Sequence, residues 1–125
     1  SDYNKAIEIN PQYSKAYFNR GLTKRKLKDN YGAISDYTKA IEIDPNDVEA
    51  YNNRGNIKNS LKDYYGAVSD YNKAIEIDPN YKSAFKNRGI AKENIGDLQG
   101  ACADWRKTTF LSPNDVAANW VRDQC

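Results

Sequence analysis

The feature that most constrains how this chain can fold is an internal repeat with a constant period. The string AIEINP at residues 6–11 returns as AIEIDP at residues 40–45 and 74–79. The tripeptide NRG recurs with the same spacing, beginning at Asn19, Asn53 and Asn87. A fixed period of this length is typical of chains in which each repeat forms one supersecondary unit that stacks on its neighbours.

The repeat predicts a single domain covering residues 1–125, with part of a repeat at each end. We expect the second helix of a partial repeat over residues 1–13, complete repeats over residues 14–47, 48–81 and 82–115, and a closing helix over residues 116–125. Trp120 and Val121 are the expected anchors of the closing helix, because they are its large apolar residues.

Each complete repeat is predicted to form two helices, because apolar and small residues recur at the spacing of a helix face in both of its halves. An aspartate is expected to cap the second helix, at Asp29, Asp63 and Asp97. That helix is expected to end before a proline, whose ring removes a hydrogen-bond donor. Small residues such as Gly21 and Ala33 are expected to let the backbones of the two helices approach closely.

Composition excludes several functional classes. No apolar run approaches the roughly 20 residues that a helix needs to cross a bilayer, and a net charge of +2 gives no electrostatic reason to expect nucleic acid or a membrane surface as partner. The chain has no histidine, which is the commonest general base and metal ligand. We therefore predict no catalytic residue, no metal site and no cofactor.

The two cysteines, Cys102 and Cys125, are too few for a zinc site. Cys102 lacks a histidine that could activate it as a nucleophile, so a structural role is the better prediction. If the closing helix runs antiparallel to the preceding one, the two thiols come close enough for a disulfide, which would indicate an oxidising compartment. Two free thiols are the alternative.

The period, the two-helix unit and the series aromatic, Gly, Ala, aromatic, Ala, Pro resemble the tetratricopeptide repeat, whose unit is about 34 residues long. The NRG tripeptide is similar to bacterial members of that family, cyanobacterial ones especially. The resemblance implies an all-α fold, a right-handed α-solenoid of helix-turn-helix repeats whose first helices line a concave groove. It implies that the groove binds an extended peptide or a partner protein, and it does not imply an enzyme.

Three arginines depart from the family pattern, since Arg20, Arg54 and Arg88 stand where it has leucine. A charge on a helix that must pack needs a partner. An aspartate follows each arginine at one constant spacing, at Asp36, Asp70 and Asp104. We expect one arginine–aspartate pair in each repeat or between adjacent repeats.

The resemblance also places an asparagine ladder, consisting of Asn19, Asn53 and Asn87, on the groove. Asparagine amides can donate to and accept from a peptide backbone, although a solvated polar face is the alternative. The other expected peptide-binding residues are Phe18, Leu22, Arg25, Lys26, Asn52, Asn56, Lys86 and Ile90. Because Lys15, Arg25 and Lys26 belong to the first repeat, we expect a positive field there and an acidic ligand segment over it.

Binding of chaperone carboxy-terminal tails is a known property of some family members, which use a clamp of Lys, Asn, Asn, Lys and Arg. The matching positions here are Phe18, Leu22, Asn53, Ser83 and Asn87. Only Asn53 agrees with the clamp, so we reject such tails as the leading ligand.

The predicted function is a protein-interaction scaffold for an unidentified peptide or protein. Two alternatives are a substrate-selecting accessory module of a larger enzyme and a self-assembling structural repeat. The helix over residues 1–13 leaves an apolar face incompletely covered, so we also expect concentration-dependent formation of a homo-oligomer through this end.

Overall fold

A computed structural model describes residues 2–10 and 12–125 of the chain. All regular elements in that part of the chain are helices, which confirms the predicted all-α solenoid. In chain order they are α1 (Asp2–Ile9), α2 (Ser14–Lys26), α3 (Asn30–Ile43), α4 (Val48–Ser60), α5 (Tyr64–Ile77), α6 (Lys82–Ile95), α7 (Leu98–Leu111) and α8 (Ala117–Gln124). We call α2, α4 and α6 the first helices, and α3, α5 and α7 the second helices. None of the described helices is long and apolar enough to cross a membrane.

The second helices begin at capped amino termini, as the sequence predicted. The side chains of Asp29, Asp63 and Asp97 accept hydrogen bonds from the backbone N–H groups three residues later, at distances of 3.0, 3.1 and 2.9 Å. These bonds satisfy donors that have no partner within the helix. The carboxylates also complement the positive end of the helix dipole.

The core lies between the first and second helix of each repeat and between consecutive repeats. Its largest fully buried side chains are Tyr37, Tyr71 and Trp105 on the second helices, together with Ile57 on α4 and Thr108 on α7. A Cβ atom added to Gly21 would lie only 3.0 Å from the Tyr37 ring. The glycine therefore makes room for an aromatic ring, whereas we expected it to bring two helix backbones together beside Ala33.

The predicted arginine–aspartate pairs form inside each repeat. The Nε and Nη2 atoms of Arg54 donate to the two carboxylate oxygens of Asp70, at 2.9 and 2.7 Å. Lys58 approaches the same carboxylate at 3.1 Å. The other two repeats contain the same arrangement, formed by Arg20, Lys24 and Asp36 and by Arg88, Lys92 and Asp104. The lysine is a partner that the sequence did not suggest.

The two ends of the solenoid differ. Helix α1 has no buried residue, and Ile9 is 75% exposed. Helix α8 packs on α7 through Trp120 and Val121, which contact the cluster around Trp105. A disulfide joins Cys102 of α7 to Cys125 just beyond α8. The predicted closing helix is thus held both by apolar contacts and by a covalent bond.

Candidate peptide-binding face

The first helices present one row of side chains that we call the first-helix face, defined by the predicted peptide-binding residues of α2, α4 and α6. All three residues of the asparagine ladder, Asn19, Asn53 and Asn87, are half-buried there. A hydrogen bond from Asn87 to Oδ1 of Asn52, at 3.4 Å, links α6 to α4 across this face. Each first helix therefore contributes one amide at the same place in its repeat.

Several of the other predicted binding residues contribute to packing. The ring of Phe18 meets Tyr37 edge-on, with 5.6 Å between the ring centres, and Leu22 packs against the same cluster. Asn52 is only 5% exposed. Asn56 accepts a hydrogen bond of 2.6 Å from the hydroxyl of Tyr71, whose pKa is raised by burial. These side chains support the face more than they project from it.

The charged members of the face fall into two groups. Arg25 and Lys26 are exposed, and neither forms an ion pair with any residue that the structure describes. Lys86, in contrast, lies 3.4 Å from Oδ2 of Asp115. Ile90, the apolar member of the set on α6, is half-buried. Within the described part of the chain, Arg25 and Lys26 are therefore the free cations of the predicted set, whereas Lys86 already has a partner.

A cleft of about 370 Å³ opens at the beginning of α2, between this helix and the segment from the loop after α3 to the first turn of α4. We call it the acidic cleft, and its lining residues are Ser14, Lys15, Phe18, Asn19, Asp44, Asp47 and Glu49. Three carboxylates surround a single ammonium group, so the positive field expected around Lys15 does not occur here. The reason is that the loop after α3 brings Asp44 and Asp47 over the beginning of α2, which a count of first-helix positions leaves out.

Asp47 is half-buried, whereas Asp44 and Glu49 are exposed. Its side chain accepts a hydrogen bond of 3.1 Å from the backbone N–H of Ala50 and so caps α4. Burial raises the pKa of Asp47, and the neighbouring charge of Asp44 raises it further. The carboxylate thus lies near other negative charges, and it forms no ion pair with any described residue.

The structure brings together no catalytic constellation in the described residues. Cys102 is bonded to Cys125, so it is not a free thiol. The described residues also contain no group of three or more carboxylate or cysteine side chains arranged to hold a metal ion. The surface offers amides, carboxylates, the cations of Arg25 and Lys26 and half-buried apolar rings, which are groups that bind other molecules by non-covalent contact.

Comparison with known proteins identifies the repeat. The family model described as "Tetratricopeptide repeat" matches residues 14–47 and 48–81, which together exceed half of the chain. A comparison with curated protein sequences finds no match.

Solved structures similar to this chain include other TPR domains. The first TPR of Spaghetti (RPAP3) bound to the HSP90 peptide SRMEEVD is 29% identical, with 89% of each chain covered and a TM-score of 0.86. The Arabidopsis OM64 TPR domain is 28% identical, covering 90% of this chain and 96% of that one, with a TM-score of 0.84. MamA has a TM-score of 0.87 at 20% identity, covering 97% of this chain and 77% of its own, and shows the fold alone.

The sequence period, the paired helices and the matched family model agree with one another over residues 14–81. The repeat unit begins at Ser14, where the matched region also begins. This chain belongs to the tetratricopeptide repeat family.

Proposed function

We propose that this chain is a protein–protein interaction module that holds an extended peptide segment across the first-helix face. The asparagine ladder is the observation that carries the proposal. Asn19, Asn53 and Asn87 occupy the same position in three successive first helices, and each is half-buried. An amide both donates and accepts, which suits the alternating N–H and C=O groups of an extended backbone.

The similar RPAP3 domain supports a peptide ligand in general, since its structure contains a bound HSP90 peptide. We do not extend that particular ligand to this chain. Phe18 and Leu22 stand at two positions where the chaperone-tail clamp has Lys and Asn, and both pack against the core around Tyr37. A chaperone tail should therefore bind weakly or not at all. The likeness of the NRG tripeptide to bacterial family members remains a prediction.

Random peptide library selection on the folded chain tests the proposal, with the affinity of selected peptides measured by fluorescence polarisation. Changing Asn19, Asn53 and Asn87 together to alanine should weaken binding about 100-fold, because three hydrogen-bonding groups at about 1 kcal/mol each are removed. Circular dichroism should show unchanged helicity in this variant.

A matched control replaces two exposed asparagines that lie outside the helices, Asn80→Ala with Asn114→Ala. It removes the same chemical group outside the first-helix face and should leave the affinity unchanged. Failure to select any binding peptide, or equal affinity in the ladder variant and the control, would contradict the proposal.

Helix α1 favours a second candidate, assembly with another copy of the chain. Tyr3 is 36% exposed and Ile9 is 75% exposed, so the helix presents apolar surface to solvent. Sedimentation velocity over a range of concentrations tests this, and a monomer at high micromolar concentration argues against it. The role of accessory module in a larger enzyme is compatible with the same peptide-binding face.

A further inference from the structure

The first and third repeats carry the same aspartate at the same position, as Asp47 and Asp115, which stand two repeats apart. Each uses one carboxylate oxygen to accept a hydrogen bond from a backbone N–H in the first turn of the next helix. Oδ1 of Asp47 accepts from the N–H of Ala50 at 3.1 Å, and Oδ1 of Asp115 accepts from the N–H of Ala117 at 3.1 Å. In each case the second oxygen remains available for another partner.

In the third repeat that second oxygen binds ammonium groups. Oδ2 of Asp115 lies 3.4 Å from the Nζ atoms of both Lys82 and Lys86. Although burial opposes it, the N–H of Ala117 together with the two lysines holds the pKa of Asp115 below its usual value. The chain itself thus shows which chemical group this position accepts.

In the first repeat the two lysines are missing. The residues at the positions of Lys82 and Lys86 are Ser14 and Phe18, two repeats earlier in the chain. Neither can neutralise a carboxylate, and Asp47 forms no ion pair with any residue that the structure describes. Burial and the charge of Asp44 raise the pKa of Asp47, which is the opposite of what happens at Asp115.

The space beside Asp47 is the acidic cleft. Its volume of about 370 Å³ is sufficient for a long side chain, and its lining carries three carboxylates against the one ammonium group of Lys15. Phe18 adds an aromatic surface, on which an aliphatic stem or a cationic group can pack. Since the described carboxylates do not form a metal-holding group, an organic cation fits the lining better than a metal ion does.

We propose that the acidic cleft binds a lysine or arginine side chain of the peptide held on the first-helix face, with the ligand's cation taking the place that Lys82 and Lys86 occupy beside Asp115. The inference rests on the proposed function, since it assigns one subsite of the same face. A free basic side chain would neutralise Asp47 without displacing its cap on α4. Binding of the cation would lower the pKa of Asp47, because an adjacent positive charge favours the ionised form.

The test titrates the folded chain with Nα-acetyl-lysine-N-methylamide and follows it by NMR, reading the carboxyl carbon of Asp47 and the ring of Phe18. The norleucine analogue, which has a similar chain without the ammonium group, is the matched ligand control. We expect the lysine compound to bind at least about fivefold more tightly than the norleucine compound, and to lower the pKa of Asp47.

Two variants address the site from opposite directions. Asp47→Asn removes the charge and keeps a good helix cap, whereas Ser14→Lys supplies an internal ammonium group at the position of Lys82. Both should reduce the preference for lysine over norleucine to about onefold. Glu76→Gln removes one negative charge from the exposed surface of α5 and should leave the preference unchanged.

Equal binding of the two compounds to the unaltered chain would overturn the inference, and so would an unchanged preference in Asp47→Asn. The outcome is separable from that of the proposed function. Library peptides that depend on the asparagine ladder but show no enrichment in lysine or arginine would remove the subsite alone. A lysine preference at Asp47, with no library peptide selected, would support the subsite and contradict the extended-peptide proposal.

Discussion

The helix interfaces and the first-helix face of this solenoid vary by different rules. At the interfaces, the same arginine–aspartate contact returns in each complete repeat, with Nη2 to Oδ1 distances of 2.7, 2.7 and 2.6 Å. On the face, one and the same repeat position carries Phe18, Asn52 and Lys86. Phe18 lines the acidic cleft, Asn52 is buried, and Lys86 forms an ion pair with Asp115.

The difference follows from what each region must satisfy. A guanidinium group between two helices needs a carboxylate in a fixed geometry, because an unpaired buried charge is costly. A residue on the face is limited mainly by its immediate neighbours and by whatever binds there. Repetition therefore marks the residues that build the solenoid and those proposed to hold a ligand's backbone, and divergence marks those that can select particular ligand side chains.

Removing one interface carboxylate should have the largest effect. Asp70→Asn leaves Arg54 and Lys58 without a counter-charge in a half-buried site, and we expect a loss of about 3 to 4 kcal/mol in the free energy of unfolding. Urea denaturation followed by circular dichroism measures it. Glu76→Gln, which affects an exposed pair with Lys73 at 3.8 Å, should cost less than about 0.5 kcal/mol. Similar costs for the two variants would show that the interface carboxylate matters no more for stability than an exposed one.

Opening the disulfide should have the next largest effect. Reduction, or Cys125→Ser, removes a cross-link between residues 23 apart in sequence, and a loop of this size contributes about 3 kcal/mol in the chain-entropy model. Trp105 and Trp120, the two tryptophans of the chain, lie 5.1 Å apart at this junction. Their fluorescence should report loosening of α8. A reductant should change nothing further in the Cys125→Ser variant, and an unchanged transition on reduction of the native chain would contradict the expectation.

The glycines test whether the three interfaces are equally tight. A Cβ atom would lie 2.4 Å from Trp105 at Gly89, 2.8 Å from Tyr71 at Gly55 and 3.0 Å from Tyr37 at Gly21. Alanine gains about 1 kcal/mol in helix propensity, but overpacking opposes that gain. We expect Gly89→Ala to destabilise by about 2 kcal/mol, Gly55→Ala by less, and Gly21→Ala to be close to neutral. Thermal unfolding of the three variants measures their stabilities. Three equal or increased melting temperatures would show that the aromatic rings move aside without cost and would contradict the expectation.

The smallest effect concerns Asp47 and Asp115, the aspartates that lie just before α4 and α8. Asp115→Asn should cost about 0.5 kcal/mol at neutral pH, since its lysine partners are partly exposed, whereas Asp47→Asn should be near neutral. A lowered pKa at Asp115 means that its contribution is present above the pKa of the unfolded chain and is lost as the pH falls through the folded value. The raised pKa of Asp47 has the opposite sign, so stability gains from its protonation as the pH falls. Unfolding curves of both variants at neutral and acid pH check the two signs.

Sequence reasoning predicted the contacts that recur in every repeat and missed several that occur once. The two-helix unit, the caps at Asp29, Asp63 and Asp97 and the arginine–aspartate pairs followed from the constant period of the sequence, and the α-solenoid followed from the resemblance to the tetratricopeptide repeat. Register alone was sufficient there, because the same local contacts must form in every copy.

The acidic cleft could not be found in the same way. It lies almost wholly within the first repeat and forms where the loop that follows α3 returns to the beginning of α2, a contact between the two ends of the repeat that helix periodicity does not describe. The pairing of Lys86 with Asp115 was missed for a similar reason, although the aspartate shared by Asp47 and Asp115 was a usable signal. The burial of Asn52 under Asn87 depends on contact between two first helices, which the spacing within one repeat does not describe.

The arginines of the arginine–aspartate pairs each make one more contact, and this contact bears on the order in which the helices unfold. Besides its aspartate, each guanidinium donates through Nη1 to the preceding second helix, at Asn4, Thr38 and Asn72 respectively. These hydrogen bonds connect every complete repeat to the helix before it. The stability of the molecule is then approximately a sum of terms for single repeats and terms for contacts between adjacent repeats. Fraying should begin at α1, which has no buried residue, and advance toward the cross-linked end. Amide hydrogen exchange should accordingly slow from α1 through α2 to α4 as a gradient, with no sharp boundary between domains.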